Sequence, residues 1–151
     1  MNVYLDSSAI VKLFDSREPH HEFLRDGLMK LAPDLQFTSV LAFPETLAAF
    51  AGKKYSINQL NKINALFLHA WEQDYSKIDL DQEICNVSGI LVRTHRSLGL
   101  RGADSVHLAS ALRVGAKRSS LTFVVFDRNL AKAASAEGFP LLTNPSFGLP
   151  D

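Results

Sequence analysis

A continuous apolar run, LTFVVF at residues 121–126, restricts the fold of this chain more than any other feature. The run carries β-branched and aromatic residues and no charge, which is typical of a strand covered on both faces in a parallel sheet. Similar but shorter segments predict four further strands, at 3–5, in LQFTS (35–39), in KIDLD (77–81) and around Leu141. The chain is therefore expected to build a sheet whose strands are largely buried.

Helical patterns separate these strands. The first predicted helix follows an N-cap at Ser7 or Ser8 and runs through Phe14, and the second lies between Pro19 and Pro33. The third covers 39–52, with Ser39 as a cap. The other predicted helices are 56–71, about Asp81 to Leu98, 103–115 and 128–138. Strands that alternate with helices predict an α/β protein, a three-layer α/β/α sandwich with a mainly parallel central sheet. With 151 residues and no linker or repeat, the chain is expected to form one domain over 1–151.

Charge and cysteine content indicate the cellular compartment of the protein better than they indicate its activity. Sixteen basic and sixteen acidic residues cancel, so the net charge does not point to a nucleic acid, although a local patch is compatible with it. A lone Cys85 cannot form an internal disulfide, which favours a reducing cytoplasm. No stretch is long and apolar enough to span a bilayer, and we expect no membrane association.

Two acidic residues follow predicted core strands directly. Asp6 comes after Val-Tyr-Leu, and Asp127 comes after Phe-Val-Val-Phe. The carboxyl ends of strands in open α/β sheets form the edge at which ligands bind. The alternative is that each carboxylate only caps the helix that follows it.

Two more acids lie on helical stripes that are otherwise mostly apolar. The companions at helical spacing are Leu41, Ala48 and Ala49 for Glu45, and His107, Leu108 and Ala111 for Asp104. A buried carboxylate without a partner costs several kcal/mol or becomes protonated, so each needs a cation or a donor. The alternatives are a buried salt bridge to Arg or Lys for either residue or, for Asp104, an N-cap after Gly102.

The four acids together predict a metal site. Four like charges cannot share one pocket unless they are neutralised, and an all-carboxylate site without Cys or His ligands suits Mg²⁺ or Mn²⁺. Many nucleases and phosphatases use such ions to activate water and to stabilise the leaving oxygen. The pattern therefore favours hydrolysis of phosphodiester bonds.

Four segments, in order, resemble the signature segments of PIN-domain proteins, especially the VapC-type toxins of toxin–antitoxin systems. They are LDSSAIVKLF, LAFPETLAAF, LRGADSVHLASAL and FVVFDRNLAKAASAEGFPLL, and together they span nearly the whole chain. The resemblance implies a compact nuclease that cuts RNA with Mg²⁺ or Mn²⁺. It implies that Asp6, Glu45 and Asp104 bind the principal ion and that Asp127 completes a second position.

The resemblance also implies supporting residues and partners. The family's hydroxyl after the first acid falls on Ser7 and Ser8, whereas the Thr that many relatives carry two residues before the fourth acid is replaced by Val125. A homodimer and a small antitoxin protein, whose arm blocks the acidic site, are implied as partners. Arg101, Arg128 and Lys132 are candidate phosphate contacts, with solvated surface charge as the alternative.

Three aromatic side chains have a simpler interpretation than function. His107, flanked by apolar residues, is expected to be a hydrogen-bonded core histidine rather than a catalytic group. Phe67 and Trp71, at helical spacing, are expected to pack in a core or a dimer interface rather than to stack on bases.

Other functions compete with a toxin ribonuclease. A haloacid-dehalogenase-like phosphatase also begins with an Asp at the end of its first strand, but it requires a second Asp two residues later, where this chain has Ser8. A PIN-domain nuclease of RNA processing and a non-catalytic PIN-like module that binds RNA or a partner both stay open.

Overall fold

A five-stranded sheet forms the centre of the computed structural model, which describes residues 1–150. The strands are β1 (Asn2–Leu5), β2 (Leu35–Ser39), β3 (Tyr75–Ile78), β4 (Leu121–Val124) and β5 (Leu141–Leu142). Their order is β3-β2-β1-β4-β5, and each pair of neighbours is parallel. Tyr4 of the central strand lies in register with Phe37 on one side and with Phe123 on the other. The predicted parallel sheet is confirmed.

Seven α-helices connect and cover the strands. They are α1 (Ser7–Phe14), α2 (His21–Leu31), α3 (Ala42–Ala51), α4 (Ile57–Gln73), α5 (Gln82–Thr94), α6 (Gly102–Val114) and α7 (Arg128–Ala136). Short 3-10 turns occupy Arg96–Leu98, Arg118–Ser120 and Pro145–Phe147. None of the helices in residues 1–150 combines the length and the apolar character needed to cross a membrane.

The helices pack on both faces of the sheet and create two hydrophobic cores. Successive residues of a strand point to opposite faces, so Tyr4 joins the core beneath α5, α6 and α7, whereas Val3 and Leu5 join the core beneath α1 to α4. Phe67 is fully buried and Trp71 nearly so, both in the second core, as expected of packing residues. This arrangement confirms the three-layer α/β/α sandwich.

Several predicted boundaries are wrong by a few residues. The helix expected to reach Leu98 ends at Thr94, because the chain tightens into a 3-10 turn that stops at Gly99, where φ is +62°. The third strand begins at Tyr75 rather than within KIDLD, since it pairs with β2 through Tyr75–Ile78 and the following Asp-Leu-Asp leads into the cap of α5.

Two predicted helix caps are also wrong. Asp6, not Ser7 or Ser8, is the N-cap of α1, because its extended backbone (φ −81°, ψ 174°) lets its carboxylate accept the Ala9 N–H at 3.0 Å. The α3 helix begins at Ala42, and the Ser39 hydroxyl accepts the Leu41 N–H before the helix starts. The predicted capping box of Ser56 and Gln59 at α4 is confirmed.

The inward stripe of α3 differs from the predicted one. Ala42, Thr46 and Phe50 are buried, whereas Ala48 is exposed. The large ring of Phe50 decides the rotation of the helix, because its burial removes more apolar area from water than that of the alanines. Glu45 consequently lies beside the buried stripe and is half-buried.

Candidate active site

The carboxyl edge of the sheet brings together the segments that carry the four predicted acids. Asp6 directly follows β1 and Asp127 follows β4, and these strands are parallel neighbours at the centre of the sheet. The Asp6 N–H donates to the Val124 carbonyl at 3.3 Å, which fixes the end of β1 against the end of β4. The first turns of α3 and α6 supply Glu45 and Asp104.

Asp6 is an almost fully buried carboxylate. It accepts the Ser8 hydroxyl at 2.7 and 2.8 Å and the Ala9 N–H. Burial raises the pKa of Asp6 to about 6, although His107, Ser8 and the Ala9 N–H act in the opposite direction. The hydrogen bonds therefore compensate its charge only in part, and a cation beside Asp6 would stabilise the ionised form.

Ser8 connects the two acidic strand ends. Its hydroxyl donates to Asp6 and accepts the N–H of Phe126 at 3.0 Å, across 118 residues of sequence. An open groove of about 330 Å³ adjoins it, and its lining includes Ser7, Lys12 and Glu45. The structure thus gives Ser8 an orienting contact and places Ser7 at the wall of the groove.

Asp104 and Asp127 share one arginine. The Arg101 Nε lies 3.0 Å from Asp104 Oδ2, and its Nη2 lies 3.7 Å from Asp127 Oδ2. Burial raises the pKa of Asp104, and the hydrogen bond from Arg101 opposes that effect. The salt-bridge alternative for Asp104 is therefore observed, whereas the N-cap alternative is wrong, because α6 begins at Gly102 and Asp104 lies in its first turn.

Asp127 has a second contact, since its Oδ1 caps α7 by accepting the Leu130 N–H at 2.8 Å.

Of the candidate phosphate contacts, Arg101 pairs with Asp104 and Asp127, although its side chain is 74% exposed. Arg128 is exposed and lies over the Phe147 ring at 5.7 Å. Val125 is fully buried and packs in the core, so a side-chain hydroxyl is replaced there by apolar contacts.

Glu45 is bound by a histidine, and not by the Arg or Lys of the salt-bridge alternative. His107 Nε2 lies 2.6 Å from Glu45 Oε1, and His107 Nδ1 lies 2.9 Å from the Tyr4 hydroxyl. His107 is 1% exposed, which confirms the prediction of a hydrogen-bonded core histidine. Sequence reasoning missed Tyr4, because a tyrosine inside a buried strand gives no signal that distinguishes it from an ordinary core residue.

The donor set fits a hard divalent cation, because it consists of carboxylate oxygens and includes a buried acid whose charge is poorly compensated. In residues 1–150, however, no three His, Cys, Asp or Glu side chains stand close enough together to hold a metal ion. Arg101 donates a hydrogen bond to Asp104, and His107 hydrogen-bonds to one oxygen of Glu45. An ion that used these acids would displace Arg101.

A parallel α/β sheet with acidic residues along its carboxyl edge defines a class of ligand-binding α/β proteins. Within that class, the PIN domain matches residues 3–136, and the chain belongs to the PIN-domain family. Ribonucleases of this family in general depend on a divalent metal ion.

Similar proteins carry ribonuclease names. Ribonuclease VapC45 of Mycobacterium tuberculosis (strain CDC 1551 / Oshkosh) is 36% identical over 141 residues, which cover 90% of this chain and 91% of the relative. Ribonuclease VapC46 of Mycobacterium tuberculosis (strain ATCC 25618 / H37Rv) is 31% identical, with 93% and 95% covered.

Solved structures share the fold at low identity. VapC20 of Mycobacterium tuberculosis, described as a toxin that cleaves the sarcin-ricin loop, has a TM-score of 0.71 at 14% identity and covers 91% of this chain and 95% of its own. VapBC2 of Rickettsia felis, bound to a promoter DNA fragment, has a TM-score of 0.65 at 16% identity, with 95% and 98% covered. These likenesses establish the fold.

Proposed function

We propose that the protein is a metal-dependent ribonuclease that hydrolyses RNA phosphodiester bonds and acts in the cytoplasm as the toxin of a toxin–antitoxin pair. The observation that carries the proposal is the set of four carboxylates on the elements that end or begin at the carboxyl edge of the sheet, two of which share Arg101. The 36% identity to a named ribonuclease over nine tenths of the chain supports RNA as the substrate.

Each acid has a role in this proposal. Asp6, Glu45 and Asp104 hold the principal Mg²⁺ or Mn²⁺, and Asp127 contributes to a second position. When bound, such an ion would lower the pKa of a water molecule and stabilise charge on the departing oxygen. Ser8 orients the Asp6 carboxylate, and Ser7 borders the groove through which the RNA backbone approaches.

Two arginines are suited to the phosphate backbone. Displaced from Asp104, the exposed guanidinium of Arg101 is free to pair with a phosphate in a bidentate fashion. Arg128 adjoins Asp127 and is exposed. Both are proposed as contacts that position RNA without reading its sequence.

A small antitoxin protein and a second copy of this chain are the proposed partners. The support for the antitoxin comes from solved structures of the same fold, which include VapBC2 of Rickettsia felis and a toxin–antitoxin complex of Klebsiella pneumoniae. The second copy is proposed from the family resemblance alone. An antitoxin that supplies a cation to the acidic edge would block it by the same pairing that Arg101 makes with Asp104 and Asp127.

The test is cleavage of defined RNAs by the purified, antitoxin-free protein with Mg²⁺, with Mn²⁺ and with a chelator, and with single-stranded DNA in parallel. We expect cleavage of RNA only with metal, and its loss in Asp104→Asn and Asp6→Asn while the circular dichroism spectrum is retained. The matched control is Asp26→Asn, which removes an exposed carboxylate on α2 and should leave the rate unchanged.

Cleavage that persists in the chelator or in Asp6→Asn would contradict the metal mechanism. RNA binding without cleavage under every metal condition would favour a non-catalytic module instead. Cleavage by a protein that does not arrest growth when it is expressed alone would favour an RNA-processing enzyme over a toxin.

A further inference from the structure

Tyr4, His107 and Glu45 form a chain of hydrogen bonds that runs from the core of the sheet to its acidic edge. Tyr4 lies on the central strand β1 and is fully buried, His107 lies on α6 and is 1% exposed, and the Glu45 side chain on α3 is 27% exposed. The two links measure 2.9 Å and 2.6 Å. Three separate elements therefore meet through one imidazole ring.

The chemistry of the groups fixes the direction of the chain. An ionised carboxylate can only accept, so His107 Nε2 carries a hydrogen and donates it to Glu45 Oε1. In the neutral ring Nδ1 then accepts from the phenol, which carries a hydrogen at neutral pH. Both ring nitrogens are thus engaged, and neither is left to bind an ion.

Packing holds the imidazole in one orientation. The Tyr4 ring meets it edge-on, with centroids 6.0 Å apart, and itself packs against Phe123 at 5.1 Å. Leu108, the next residue on α6, is fully buried. A rotation of His107 would break one buried and one partly buried hydrogen bond, so the ring presents its Nε2–H at a fixed point.

The Glu45 side chain, by contrast, has several rotatable bonds and is 27% exposed. Such a side chain loses rotamer entropy when it is held in a single geometry. If hydrogen bonds already hold the carboxylate in one geometry, binding of the ion does not require that loss of entropy. Residues that hydrogen-bond to metal ligands affect metal affinity for this reason.

We propose that His107, held by Tyr4, is a positioning residue that fixes the Glu45 carboxylate for binding of a divalent cation. The inference rests on the proposed function, since it takes Glu45 to be a ligand. It assigns His107 no contact with the ion, the RNA or the attacking water.

The readout is Mn²⁺ binding to the full-length protein, measured by electron paramagnetic resonance without RNA, so that it does not depend on activity. His107→Leu should raise the Mn²⁺ Kd about tenfold. His107→Gln, whose amide can still donate to Glu45, should recover part of that loss. Tyr4→Phe keeps the ring and removes only the hydroxyl, and it should weaken binding by a smaller factor.

The chain offers a matched control in His95. This second buried histidine also lies near a glutamate, with Nε2 3.5 Å from Glu137 Oε2, and it belongs to the end of α5 rather than to the acidic edge. His95→Gln should leave the Mn²⁺ Kd unchanged. Thermal unfolding without metal establishes which variants are folded, and if His107→Leu does not fold, Tyr4→Phe decides.

Glu45→Gln separates the two hypotheses. If His107 acts through Glu45, adding His107→Leu to Glu45→Gln should not weaken Mn²⁺ binding further. A folded Tyr4→Phe or His107→Leu with the wild-type Kd, while Glu45→Gln is weakened, would overturn the positioning role and leave the proposed function standing. A Glu45→Gln protein that binds Mn²⁺ as tightly as wild type would contradict the proposed ligand set itself.

Discussion

The carboxylate of Asp6 both caps a helix and lies at the acidic edge of the sheet. It caps α1 through the Ala9 N–H and lies at the end of the central strand, so the two alternatives that the sequence left open are compatible. With the pKa raised from 3.8 to about 6, ionised Asp6 destabilises the folded protein at pH 7 by about 3 kcal/mol. The sign follows from linkage, because the folded form keeps a proton between about pH 4 and 6 that the unfolded form has released.

Arg101 and a cation compete for the same oxygens. We expect Arg101→Gln to lower the Mn²⁺ Kd by about two- to fivefold, because an exposed ion pair contributes up to about 1 kcal/mol and must be broken when Asp104 takes an ion. Arg113→Gln is the control, since it removes the same charge from α6, which Arg101 directly precedes, and Arg113 pairs with Asp81 instead. Weaker Mn²⁺ binding in Arg101→Gln would mean that Arg101 supports the site instead.

The elements that carry the acids could be predicted, and their partners could not. Asp6 and Asp127 were predictable because they directly follow strong apolar strands. The contact of Glu45 with His107 joins residues 62 apart on two helices, and it depends on how α3 and α6 flank the sheet. Residue spacing along one helix contains no information on that distance, and the roles of the four acids as metal ligands remain predictions.

At the scale of elements, Asp15 at the end of α1 connects the loop before α2 with the loop between α3 and α4. It is 4% exposed and accepts hydrogen bonds from Lys53 at 2.7 Å, from Tyr55 and from the Arg17 N–H. These contacts connect the end of α1 to the segment before α2 and to the end of α3. Burial alone would raise the pKa of Asp15, but the hydrogen bonds from Lys53 and Tyr55 outweigh it and hold that pKa well below its usual range.

Because its pKa is lowered on folding, Asp15 contributes stability above pH 4 that is lost as the pH falls below that value. Asp15→Asn should lower the free energy of unfolding by about 2 kcal/mol at pH 7, because it removes the charged acceptor of Lys53 and Tyr55, while Lys53 keeps its contact with Glu18. The loss should shrink as the pH falls below 4 and disappear only below the lowered pKa of Asp15. Urea denaturation at a series of pH values from 7 downwards measures it.

Asp34→Asn is the control for this effect. Asp34 also pairs at 2.7 Å, with the N-terminal ammonium, but its side chain is 78% exposed, so the change should leave the free energy of unfolding almost unchanged. A loss in Asp15→Asn that does not shrink as the pH falls from 4 through the lowered pKa of Asp15 would show that packing, and not charge, stabilises this junction.

Element boundaries show a similar limit of prediction. The Ser56–Gln59 capping box was readable because all its parts lie within four residues. The rotation of α3 was not readable, because several apolar stripes are available on a helix rich in alanine and only packing against α1 and α4 selects one. Local signals therefore predict caps better than they predict which face is buried.

At the scale of the molecule, one sheet separates two cores that share its strands. Because β1 supplies Tyr4 to one core and Leu5 to the other, neither core can lose its strands without affecting the other. We expect residues 1–151 to unfold as one cooperative domain. Fluorescence of Trp71, the only tryptophan, should report on the second core, and far-ultraviolet circular dichroism on the whole chain.

The two signals should give coincident urea transitions. As a control, the two signals should also coincide when the protein is refolded from urea. A Trp71 transition at lower urea than the loss of secondary structure would contradict the single domain and would separate α1 to α4 from the remainder.

The hydrogen bond between Ser8 and the N–H of Phe126 has a consequence for biosynthesis. A ribosome makes Asp6 first, but the strand that stands beside it and the last acid come more than a hundred residues later. A nascent chain therefore holds an incomplete acidic edge through most of its translation. The complete acidic edge can therefore form only when synthesis is almost over.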